Sequence, residues 1–160
     1  MSNAPTPLIS IVGRYLPAAE KIFLAGLAVG VVLLFMSVDT TVLMISLNGL
    51  AVVYFLFAYK PLEIQREEGA LFGFSELLAY MIVPKVMWIA SAVSLIGIMF
   101  SLLKLEGSSN MLLIGLISLG IGTLLLVIFK AIGVKQLEVL QPMLYRTMPL
   151  LFFDLYTLLR

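Results

Sequence analysis

The sequence predicts an all-α integral membrane protein with four transmembrane helices, arranged as two tandem hairpins, and an interfacial C-terminal helix. Three observations lead to this fold class. Hydrophobic residues make up 62% of the 160 residues and charged residues only 12%, whereas soluble domains carry roughly 25% charged residues. Four stretches without a charged residue are each about as long as a helix that crosses the hydrocarbon layer. Cysteine and histidine are absent, so neither disulfides nor imidazole chemistry is expected.

The four charge-free stretches are predicted to be α-helices, because lipid offers the backbone no hydrogen-bond partners. They form two hairpins, within residues 22–59 and 86–129, because the connections inside each pair are short. The stretches are Ile22–Val38, Val42–Tyr59, Val86–Leu103 and Met111–Phe129.

The connections carry helix-start and turn residues. Asp39–Thr41 offers side-chain oxygens that suit a helix N-cap. In the second hairpin Gly107 is expected to form the turn, and one of the polar residues 108–110 is expected to form the N-cap. Residues 60–85, between the hairpins, are predicted to be a cytoplasmic linker whose apolar second half is an interfacial helix.

The two ends of the chain are predicted to lie on the cytoplasmic side, as a segment of residues 1–21 and a tail of residues 130–160. In the tail, the twelve residues Met148–Leu159 contain one charged residue, Asp154. Twelve residues are too few to span comfortably, so an interfacial helix that begins near Thr147 is expected. The alternative extends this helix back to Met143 and inserts it as a fifth span.

The distribution of basic residues predicts the orientation. Lys104 is the single basic residue of the outer connections, and the other nine fall on the opposite side. Because cytoplasmic loops are rich in Lys and Arg, both termini are expected in the cytoplasm, with the protein in a bacterial inner membrane. The nine are Arg14, Lys21, Lys60, Arg66, Lys85, Lys130, Lys135, Arg146 and Arg160.

Small residues recur at helical spacing inside the predicted spans. Small side chains let helix backbones approach closely in lipid, and Asn48 is expected to form a hydrogen bond between helices. The residues predicted to pack helices are Gly26, Gly30, Asn48, Ser94, Gly97, Gly115, Ser118 and Gly122. The hairpins also resemble each other, with Gly30–Val38 aligned on Gly97–Leu105, which favours an internal repeat.

The chain offers no set of residues typical of a catalytic, cofactor or metal site. The predicted spans contain no ionisable side chain apart from tyrosine, which argues against ion or proton coupling. The four glutamates of the linker, Glu63, Glu67, Glu68 and Glu76, are interpreted as a solvated charged loop. A net charge of +1 gives no electrostatic basis for binding nucleic acid.

The second span and its exit, Ile45–Pro61, resemble the second helix of the inner-membrane L protein of the Bacteroidota gliding-motility and type IX secretion machinery. The matching positions are Ile45, Leu47, Ala51, Phe55, Ala58, Tyr59 and Pro61. The resemblance implies a hairpin-type membrane protein. The family's motor protein has an acidic residue where this chain has Leu50, so the resemblance implies a hairpin without the motor chemistry.

The function expected from the sequence is that of a non-catalytic membrane subunit with a structural, accessory or assembly role. Its expected partners are the lipid bilayer and either another membrane protein or further copies of itself. The alternative is a small oligomeric transporter or channel component for a neutral or apolar substrate, since a charge-free interior does not exclude such a cargo.

Overall fold

Five helices make up the part of the chain that the computed structural model describes, which is residues 7–60, 73, 77–133 and 140–159. A π-helical turn at Leu78–Ile82 runs without a break into the third helix. No strand occurs within these ranges. The helices are α1 (Pro7–Phe35), α2 (Thr41–Phe57), α3 (Val83–Leu102), α4 (Ser108–Ala131) and α5 (Gln141–Leu159).

Three of these helical segments are long and apolar enough to cross a membrane, namely Gly13–Phe35, Leu78–Leu102 and Ser108–Ala131. The shorter α2 is also apolar and has 17 residues, which gives a length of about 25 Å. The all-helical, membrane-protein character predicted from the sequence is therefore supported.

The helices pack in chain order, and α3 is the centre of the bundle. α1 packs on α2, α2 on α3 and α3 on α4, while α5 lies against both α3 and α4. The core side chains come mainly from α2 and α3, and Met87 and Leu95 of α3 are almost fully buried. α1 is the most peripheral helix, since few residues of its apolar segment are buried.

Two helices begin earlier than the charge-free stretches suggest. α1 is helical from Pro7, not from Ile22, because the charged residues that end an apolar stretch do not end a helix. The third span begins at Leu78, where the π-helical turn occupies part of the predicted interfacial linker helix. Most of the rest of that predicted helix, residues 70–72 and 74–76, falls outside the described residues.

The helix starts also differ in detail. Gly107 precedes α4 as its N-cap with a left-handed φ of 86°, and α4 begins at Ser108 without a side-chain cap. A polar cap from residues 108–110 was therefore the wrong expectation, because glycine itself occupies that position. Before α2, Asp39 accepts hydrogen bonds from the Thr41 N–H (2.9 Å) and hydroxyl (2.8 Å), and these bonds hold the pKa of the exposed Asp39 below its usual value.

The fifth helix differs most from the expectation. It begins at Gln141 and not near Thr147, with Pro142 in its first turn and Pro149 inside the helix. Its 19 residues give a length of about 28 Å. It packs against α3 and α4.

Candidate functional site

The contact between α1 and α2 is formed where glycines leave no room for a side chain. A Cβ added to Gly30 would lie 2.7 Å from the backbone N and Cα of Leu43, and one added to Gly26 would lie 2.5 Å from the Ser46 hydroxyl. The Ser46 hydroxyl donates to the Val42 carbonyl at 2.7 Å, so its polar group is satisfied within α2. Both predicted glycines thus lie at a contact inside one chain.

Glycines also lie at the contact between α3 and α4. A Cβ on Gly97 would lie 3.1 Å from Leu112, and one on Gly122 would lie 2.5 Å from the Met87 side chain. A Cβ on Gly115 would overlap the Ser94 hydroxyl. The structure therefore brings together two of the predicted packing residues, Ser94 and Gly115.

The other two predicted packing residues are placed differently. Ser118 is half-buried on α4, and Asn48 is exposed on α2. Within the described ranges no hydrogen bond joins Asn48 to another helix, so the expected interhelical bond is absent there. The reason is the rotation of α2 about its axis: Asn48 lies on the side of the helix opposite Ser46, Leu50 and Phe57, which are buried. A close contact that the sequence reasoning missed is that of Gly49 with the Phe23 ring.

A buried ion pair joins the first and fifth helices. The Glu20 carboxylate is 2% exposed, and its Oε1 lies 2.9 Å from Nε of Arg146. The hydroxyl of Tyr54 on α2 donates to the same carboxylate. We call Glu20, Tyr54 and Arg146 the Glu20 cluster. It connects three helices that are far apart in sequence.

Aromatic rings cover one side of the Glu20 cluster. The Arg146 guanidinium lies over the Phe57 ring, 5.7 Å from its centroid. Phe57 stacks on Trp88 with centroids 4.9 Å apart, and Trp88 makes an edge contact with Tyr54 at 5.1 Å. A cation over an aromatic face is stabilised by the ring quadrupole. The Glu20 carboxylate and the Phe57 ring thus stabilise the charged Arg146 side chain on the face of α5 that packs against the other helices.

A second buried carboxyl lies further along α5. Asp154 is 0% exposed, and its Oδ2 accepts a hydrogen bond of 2.5 Å from the Ser94 hydroxyl on α3. Its other oxygen, Oδ1, is buried without a hydrogen-bond partner. Since Gly115 of α4 lies directly against Ser94, three helices meet at this point. We call Asp154 and Ser94 the Asp154 site.

The sequence reasoning missed the charged residues of both sites. Arg146 was counted only as a basic residue of the tail, and Asp154 as an interruption of an apolar stretch. One signal was available, since residues 143, 147, 150 and 154 recur at the four-, three- and four-residue spacing of one helix face. That face of α5 carries the buried Thr147 and Asp154.

Comparison of the chain with family models, with curated proteins and with solved structures gave no match. The resemblance of Ile45–Pro61 to the gliding-motility L protein therefore stays a prediction.

Proposed function

We propose that the chain is a non-catalytic subunit of a membrane assembly, and that copies of it associate through the outer face of α2. The observation that carries this proposal is the exposure of Asn48 near the middle of an apolar helix. Within the described part of the chain Asn48 has no hydrogen bond to another helix, and an unpartnered amide in lipid is costly, so a partner from outside the chain is favoured.

The residues around Asn48 form a continuous outward stripe. Ile45, Val52 and Phe55 are 61%, 56% and 44% exposed. With Asn48 they follow a spacing of three, four and three residues, which places them on one helix face. We call these four residues the α2 stripe.

A second copy of the chain fits the α2 stripe better than an unspecified partner. The asparagine amide has both donors and an acceptor, so two Asn48 side chains can satisfy each other across a two-fold axis. Two-fold interfaces bring the same patch of both subunits together. Ile45, Val52 and Phe55 then supply the apolar contact on either side of the amide pair.

We further propose that all five helices are embedded in the membrane, with α1–α4 as two hairpins and α5 inserted beside α3 and α4. The support is the position of Asp154, which bonds Ser94 well inside α3. This arrangement replaces the interfacial tail with the fifth span that was the alternative expectation.

Cross-linking tests the association, because the chain has no cysteine of its own. Val52→Cys should form a disulfide-linked dimer on oxidation in membranes. The matched control is Val127→Cys, at a residue of α4 that is 60% exposed and lies away from the α2 stripe; it should stay monomeric. A dimer from both variants, or from neither, would overturn the proposal.

Substitution of Asn48 separates association from folding. Asn48→Leu should weaken dimerisation about fivefold, since an interhelical hydrogen bond in a membrane contributes about 1 kcal/mol. The monomer should unfold as before, because Asn48 makes no bond to another helix of the described part of the chain. If Asn48→Leu left dimerisation unchanged, the amide pair would not be the contact.

A further inference from the structure

The Asp154 site has the features of a binding site that the proposed assembly role does not use. One carboxyl oxygen accepts from Ser94 and the other has no partner, although the residue is fully buried. A buried polar atom without a partner is rare in native proteins and calls for a specific reason. Oδ1 is thus a buried acceptor whose lone pairs no described residue uses.

The Asp154 site lies deep within the bundle. Ser94 is eight residues from the end of α3 at Leu102, a distance of about 12 Å along the helix. Asp154 is eight residues from Arg146 along α5, which is again about 12 Å. If α3 spans the bilayer, the carboxyl of Asp154 lies in the hydrocarbon region.

No cation of the packed helices balances a negative charge on Asp154. The basic residues of the helices that meet there are Lys85, Lys130 and Arg146. Lys85 is exposed and about 14 Å from Ser94 along α3, and Lys130 is exposed at the far end of α4. Arg146 is already paired with Glu20. Within the described residues Asp154 has Ser94 as its polar partner.

We propose that Asp154 is a proton-binding site at membrane depth, and that it carries its proton on Oδ1 while α5 is packed against α3 and α4. The chemistry selects the proton, because an isolated carboxylate in a low-dielectric interior costs far more than the neutral acid. A metal cation needs several oxygen ligands, and the described residues contain no cluster of three or more acidic side chains to hold one. When the proton leaves to water, the carboxylate remains without a counter-ion and the packing of α5 weakens.

The chain allows a direct measurement of this protonation state. It contains two aspartates, Asp39 and Asp154, so labelling with aspartate that carries ¹³C in the side-chain carboxyl gives two NMR resonances. Asp39 is exposed and accepts hydrogen bonds from Thr41, which lower its pKa. It therefore stays a carboxylate at neutral pH and serves as an internal reference. Asp39→Asn assigns the pair without altering the Asp154 site.

In the folded protein at neutral pH, we expect the Asp154 resonance to have the chemical shift of a protonated acid. It should become a carboxylate at alkaline pH or when the protein is unfolded in denaturing detergent. A carboxylate shift for Asp154 in the folded protein at neutral pH would overturn the proposal. An Asp154 resonance that shifts with added sodium ions but not with pH would also overturn the proposal.

Stability provides a second readout. The stabilisation that comes from the bound proton is full below about pH 4, where an unfolded aspartate is also protonated, and it falls as the pH rises until Asp154 ionises in the folded protein. Wild-type protein should therefore lose stability across this pH range, whereas Asp154→Asn, which stays neutral, should lose less. Equal loss in both proteins would show that Asp154 is not the proton-binding group.

Discussion

Glu20 and Arg146 show how single residues hold the ends of the chain together. Their contact links α1 to α5 across 126 positions of sequence, and the guanidinium lies over the Phe57 ring, which itself stacks on Trp88. Replacing a buried ion pair by apolar residues can be neutral, whereas removing one partner leaves a buried charge without compensation. The ion pair is therefore best tested by comparing single and double substitutions.

Arg146→Leu is expected to destabilise the protein by about 2 kcal/mol, which is below the roughly 3–5 kcal/mol typical of a fully buried pair because Arg146 is 38% exposed. The reason is that Glu20 then lacks its counter-ion, so it must either stay ionised in a buried position or take up a proton. The double variant Glu20→Gln with Arg146→Leu should recover much of that loss. Unfolding in mixed micelles at increasing denaturing detergent gives the free energies. If the two single effects simply add in the double variant, Glu20 and Arg146 do not interact.

At the scale of elements, the hairpins depend on glycines whose roles differ with their surroundings. Gly30 touches the backbone of Leu43, whereas a Cβ on Gly120 of α4 meets nothing within 4 Å. Both glycines lie inside helices, where alanine has the higher intrinsic propensity. The same substitution therefore has opposite consequences at these two positions.

Gly30→Ala should destabilise the α1–α2 hairpin, since the added Cβ would lie 2.7 Å from the Leu43 backbone and backbone atoms cannot move aside as a side chain can. Gly120→Ala should be neutral or stabilising by up to about 1 kcal/mol. Thermal unfolding of both variants in mild detergent checks the pair. A Gly30→Ala protein as stable as the Gly120→Ala protein would contradict the close contact of α1 with α2.

The sequence predicted the helices better than the contacts between them. Charge-free length was enough to place α2 and α4 to within a few residues, because the bilayer imposes that length. For α5 it gave a start near Thr147 instead of Gln141, because the charged Arg146 ends the apolar stretch. Asp154 is buried against Ser94, its hydrogen-bond partner sixty residues away in sequence. A contact between residues so far apart cannot be read from the sequence pattern around either residue. The exposure of Asn48 was not predicted either, because the sequence does not determine which side of α2 faces the other helices.

At the scale of the whole molecule, α5 ties the two hairpins together. Its first half reaches Glu20 of α1 and Phe57 of α2, and its second half reaches Ser94 of α3. The charged contact lies toward one end of the bundle and the Asp154 site lies deeper. A helix with these two contacts cannot lie flat on the membrane surface while α3 crosses it.

This geometry leads to a prediction about topology. Arg146 lies near the same end of the bundle as Trp88 in the first turns of α3, and Asp154 lies beside Ser94 further along. α5 therefore runs in the same direction as α3, from the side of the residue 60–85 linker toward the side of Ser108.

A reporter fused after residue 160 should be found on the same side as one inserted at Ser108, and opposite to one in the linker. Moving Arg160 outward still leaves eight basic residues on the cytoplasmic side, so the charge bias that orients the first four helices is kept. A tail reporter on the linker side would show that α5 does not cross, and would restore the interfacial helix expected from the twelve apolar residues alone.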